Sequence, residues 1–185
     1  MMTCGAARMP PTCYVLASRP KTDIFNSMDT ASVFAIAFAI GVIAGLRSLT
    51  APAVVSWAAY LRWINVADTW AAFLGQTASV YALTALALAE LVADKLPQTP
   101  SRRTPGPFVV RIVLGAVSGA ALCVAGRQSS VIGAVLGGLG AVVGTLGGYQ
   151  ARTRSVAALK VPDFVIALIE DAIAVGGGFL LVSRI

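Results

Sequence analysis

Six ionisable side chains sit where a chain this apolar has little room for them. Glu90, Asp94, Glu170, Asp171, Arg47 and Arg111 all lie inside or at the edge of long hydrophobic runs. A charge at the centre of a bilayer costs about 2.5–3.5 kcal/mol on insertion scales, so its retention points to a role. Glu90 and Asp94 are four residues apart and share one helix face. Glu170 and Asp171 are consecutive. Packed carboxylates can share protons or hold a cation. Arg47 and Arg111 supply counter-charge, each with five donors that match carboxylates or orphaned carbonyls. Arg111 is placed to reach Glu90 or Asp94. Three chemistries fit this set. One is a structural ion-pair network that fixes helix order. The second is a polar cavity, open to the cytoplasm, that binds a cation or a proton-coupled solute. The third is a catalytic carboxylate pair, which would need access for water and substrate.

The elements that must position these residues follow from composition. Of 185 residues, 57% are hydrophobic and 12% charged, with a mean hydropathy of +0.81. A soluble domain carries about 25% charged residues. Half that number cannot cover a water-facing surface, so the rest of the surface must face lipid. The net charge of +6 sits mainly in short connections, as orientation signals do. No basic stripe interleaved with aromatics indicates nucleic-acid binding. The chain has no histidine and no Cys-x-x-Cys pair among Cys4, Cys13 and Cys123. Histidine-based metal sites and Ser-His-Asp or Cys-His catalysis are therefore excluded within the chain. Haem and iron–sulfur ligation have no residues to use. No cofactor or metal is expected.

A transmembrane helix needs about 20 mostly apolar residues. The first run, Ser32 to Tyr60, is too long for one such helix and too short for two. Gly45-Leu46-Arg47-Ser48 and Pro52 predict a break there, buried in protein or lining a cavity. Further runs cover Trp70–Ala93, Phe108–Ala125, Ser130–Tyr149 and Phe164–Val182. The expectation is an all-α polytopic bundle of about five spans. Residues 28–185 form one transmembrane domain. Residues 1–27 are a tail, read either as disordered or as lying ahead of a true start at Met28. Lys95, Arg102 and Arg103, with Arg152, Arg154 and Lys160, outnumber Arg62, Arg127 and Arg184 on the opposite side. This predicts a cytoplasmic N-terminus. At 1.5 Å per residue, Glu170 lies roughly 10 Å beyond Asp163, and Glu90 roughly 7 Å short of Lys95. The acidic pairs are thus expected at similar depths.

Small residues recur every four positions at Ala37, Gly41 and Gly45, at Gly115 and Gly119, at Gly133, Gly137 and Ala141, and at Gly140, Gly144 and Gly148. This spacing suits close helix packing in lipid, or a sliding surface or dimer seam. No strand precedes the glycines and no lysine follows them, so a phosphate loop is rejected. Leu83–Glu90 overlays Asp163–Glu170 without gaps. Lying three spans apart, the second and fifth runs point in opposite directions, so such segments would form an inverted repeat of the kind found in transporters.

Gly45-Leu46-Arg47-Ser48, Glu90-Leu-Val-Ala-Asp94-Lys95-Leu-Pro97, the glycine-rich fourth run with its basic exit, and Glu170-Asp171-Ala172-Ile173-Ala174 resemble a bacterial membrane family, domain of unknown function 4126. The resemblance runs from about Met28 to the C-terminus. It implies a compact protein of the bacterial inner membrane and brings no activity or substrate. The leading expectation is a small ion- or proton-coupled transporter or permease with an intramembrane acidic cluster, and a homo-oligomer in the lipid bilayer. The alternative is a non-catalytic membrane scaffold or assembly partner whose buried charges are structural. A membrane-embedded enzyme acting on lipid ranks below both.

Overall fold

A computed structural model of the chain describes residues 28–93, 105–159 and 163–183. The expectations for the tail, and the positions of Asp94, Lys95, Arg102, Arg103, Lys160 and Arg184, lie outside these residues. The architecture is all-helical. In chain order it runs α1 Thr30–Leu46, α2 Thr50–Tyr60, a 3₁₀ turn Trp70–Gly75, α3 Thr77–Ala93, α4 Pro105–Ala125, α5 Ser130–Leu159 and α6 Asp163–Ser183. Three helices are long and apolar enough to cross a membrane: Pro105–Ala125, Ser130–Ser155 and Phe164–Ser183. The shorter helices α1 and α3 are also apolar. Their 17 residues each reach roughly 25 Å at 1.5 Å per residue, just under a hydrocarbon core of about 30 Å.

Asp29 starts α1. Its carboxylate accepts from the Ser32 amide at 3.2 Å and the Ser32 hydroxyl at 2.7 Å, occupying an otherwise orphaned donor of the first turn. These hydrogen bonds hold the Asp29 carboxyl below its ordinary value of 3.8. The buried face of α1, Val33, Ala37, Ile40, Gly41 and Ala44, follows helical spacing and packs against α4 and α5. The small residues explain how closely. A Cβ at Gly41 would collide with the Gly137 backbone, and one at Gly45 with the Ala141 carbonyl. Across the α4–α5 contact, a Cβ at Gly119 would come within 2.5 Å of the Gly133 carbonyl. Only glycine lets these backbones meet, which is how helices pack where lipid offers no hydrophobic drive.

The break falls where Arg47 and Pro52 place it, but proline is not its cause. Arg47 leaves the helix with φ −140° and ψ 112°, and α2 restarts at Thr50. Pro52 is the third residue of α2. An amide there has no intrahelical acceptor, so the missing donor frees no carbonyl. Helix α2 is buried along nearly its whole length. It packs against α3, α4, α6 and the 3₁₀ turn.

The run Trp70–Ala93 is not one helix. Gln76, at φ −79° and ψ 143°, separates the 3₁₀ turn from α3. Hydropathy is continuous across this junction, so composition did not mark it. Helix α3 buries only Val80, whereas α6 buries a stripe of Ile166, Ala167, Glu170, Asp171, Ala174 and Val182.

Candidate functional site

The three residues between α1 and α2 gather side chains from three other helices. Upstream, the Gly45 carbonyl lies at the C-terminus of α1, where helical acceptors lose their partners. The Thr145 hydroxyl of α5 reaches it at 3.1 Å and its own helix's Ala141 carbonyl at 2.8 Å. Arg47, fully buried, pairs with Asp171 of α6. At the restart, Leu49 occupies the position before α2 and has no side chain that can cap it. Glu90 of α3 does so instead. Its Oε1 accepts from the Ser48 amide at 2.8 Å and the Ser48 hydroxyl at 2.5 Å, and its Oε2 from the Leu49 amide at 2.8 Å. A carboxylate is well placed at the positive end of a helix dipole.

Two of the candidate carboxylates therefore meet the chain at adjoining residues. Asp171 holds residue 47, and Glu90 holds residues 48 and 49. The two contacts differ in kind. Asp171 meets a guanidinium in a dry contact, with 0% and 11% of the two side chains exposed. Glu90 meets amides and a hydroxyl and is half-buried.

The matching family model is described as Domain of unknown function (DUF4126) and covers residues 34–183. The chain belongs to this family. No curated protein and no solved structure matches it. The matched part of this DUF4126 chain holds all six candidate site residues.

Glu170 of the DUF4126 bundle approaches α5. Its carboxylate lies 3.9 Å from Arg152 of α5. Both line a largely apolar cavity of about 390 Å³ between α5 and α6, together with Leu46 and Ser155. Arg111 is buried on α4. It is not the partner of Glu90, whose oxygens are taken by Ser48 and Leu49. The unwound backbone offers Glu90 its donors already aligned. The other expected partner of Arg111, Asp94, lies outside the described residues. Among those residues, no three acidic or cysteine side chains gather as metal ligands would.

Sequence reasoning missed Ser48, Leu49, Thr145 and Arg152. Ser48 carried a usable signal: a serine shortly before Thr50-Ala51-Pro52 is a helix-start pattern. Backbone amides, as at Leu49, have no residue-type signature.

Proposed function

We propose that the protein is a small ion- or proton-coupled transporter or permease. Its polar site would comprise Glu90, Asp94, Glu170, Asp171, Arg47 and Arg111, set around the break between α1 and α2. The observation that carries this reading is the clasp of Glu90 on the Ser48 and Leu49 amides, next to the Arg47–Asp171 pair. Broken helices whose ends point at charged groups are the usual substrate and ion sites of transporters. The chemistry gives a coupling step. An ionised Glu90 accepts hydrogen bonds only. On protonation it gains an O–H that neither amide can accept, and it loses its attraction to the helix dipole. A cation arriving at the carboxylate competes with the same amides. Either event loosens α2 from α3, and α3 has little other burial to hold it.

Flux of protons and monovalent cations into liposomes containing the purified protein tests the proposal. Flux should fall in the Glu90→Gln, Glu170→Gln double variant while the protein remains folded. Wild-type flux in that variant would sink the reading.

One observation favours the alternative, a membrane scaffold or assembly partner. The Arg47–Asp171 pair is dry and mutually neutralising, as a structural contact would be. On that reading the double variant loses folding or partner association, and the wild type shows no flux to lose. Co-purification of a stoichiometric partner would support it.

A further inference from the structure

Among the described residues, the only non-glycine residues with positive φ are both arginines, Arg62 at 57° and Arg127 at 56°. Each follows a helix end of the same design. After α2, the Arg62 amide donates to Ala59 and the Trp63 amide to Ala58; after α4, the Arg127 amide donates to Val124 and the Gln128 amide to Cys123. In this motif the left-handed position is the one where glycine is preferred. A cation just past a helix C-terminus suits the dipole, but that does not call for a left-handed backbone beneath it. A basic residue in the last helical turn would serve as well without one, yet α2 and α4 carry none there. Both arginine side chains are exposed, and neither makes a hydrogen bond or ion pair with the described residues.

Each arginine borders a hollow. Arg62, Asn65 and Gln76 line one of about 560 Å³. Arg127, Asn65 and Asp68 line a smaller one of about 130 Å³. Asn65 borders both, so the two lie side by side. Its carbonyl oxygen already accepts from the Ala67 amide, which leaves its amide group to donate. Asp68 is the one carboxylate in either lining, and it forms no ion pair with Arg127. Chain neighbours of the lining residues Ala59, Arg62, Thr69 and Ala72 include the exposed Tyr60, Leu61, Trp70 and Phe73, tyrosine and tryptophan being residue types found in aromatic belts at headgroup level.

We propose that this end of the bundle binds the headgroup of an anionic phospholipid, one whose phosphodiester has no cationic group beside it. The Arg62 guanidinium and the Asn65 and Gln76 amides would bind its oxygens, and Arg127 would add charge from the neighbouring hollow. A phosphodiester presents acceptors only, and guanidinium binds it in a fork. The aromatic rim suits the acyl chains below it. This inference stands apart from the transport reading.

Native mass spectrometry of the full chain in uncharged detergent, titrated with phosphatidylglycerol or phosphatidylcholine, tests it. The variant is Arg62→Gly with Arg127→Gly, which keeps the left-handed backbone and so should keep its melting temperature. Retention of phosphatidylglycerol should exceed that of phosphatidylcholine, and the variant should bring it down about tenfold, the change expected from losing about 1.4 kcal/mol. Equal retention of the two lipids by the wild type would overturn the proposal, even if the variant failed to fold. So would undiminished phosphatidylglycerol retention by a folded variant. Displacement of phosphatidylglycerol by millimolar inorganic phosphate would assign the site to the free ion and overturn the lipid assignment.

Discussion

Around α1 the helices meet backbone to backbone, while around α2 they meet through charges, amides and hydroxyls. In the first region, Gly41 against Gly137 and Gly119 against Gly133 leave no room for a solute or a rearranged side chain. In the second, Glu90 and Asp171 hold consecutive residues through hydrogen bonds whose strength depends on protonation and on nearby ions. The difference separates a part closed by backbone contact from a part held by polar side chains, which is where the proposed transport cycle would open. Lipid gives little net drive for apolar helices to associate. A bundle in it therefore owes its rigidity to small residues and its adjustable contacts to polar ones.

The largest effect that would break this contrast is at the dry pair. Asp171→Ala removes a carboxylate partner of the fully buried Arg47, and should cost about 3–5 kcal/mol, read as a lower unfolding midpoint in detergent. A loss no greater than that of a surface substitution would show that water already reaches Arg47. Next is the closed region. Gly137→Ala places a methyl against the Gly115 carbonyl and should cost about 1–3 kcal/mol as overpacking, with hydrogen exchange rising in α1, α4 and α5 together.

Glu90→Gln sharpens the comparison further. It keeps the side-chain shape and weakens charge-assisted bonds worth about 1.5–3 kcal/mol each at most, so a net loss of about 1–2 kcal/mol is expected. Exchange should rise in α3 and the start of α2 and stay unchanged in α1, as for a locally opening unit. Uniform loss of protection would merge the two regions into one. The smallest effect lies at Asp29. Its folded pKa is depressed, so its contribution to stability is present above pH 3.8. That contribution fades as pH falls through the still lower folded value. Asp29→Ala should therefore flatten the acid limb of a melting-temperature profile slightly and leave the neutral-pH melting temperature nearly as it was.

Sequence made the break visible because glycine, a buried arginine and proline crowd one apolar run. It also singled out Glu90 and Asp171, since each is a charge that lipid does not tolerate alone. It misassigned the cause of the break, because Pro52 acts differently in a first turn than in a helix interior. It could not find the Glu90 partners, because amide donors exist at every residue and only folding decides which are left over. The interruption at Gln76 escaped for a related reason. Six apolar residues of 3₁₀ turn have the same hydropathy as a helix, and only their neighbours distinguish them.

Arg47 and Asp171 are separated by 124 positions in the chain. Ribosomes add about 5–20 residues per second, so the guanidinium waits roughly 6–25 s for its counter-ion to be made. Throughout that interval the first helices already have hydrocarbon around them. The contact between the α1–α2 junction and α6 is thus a late step of biogenesis despite the early place of residue 47 in the polypeptide.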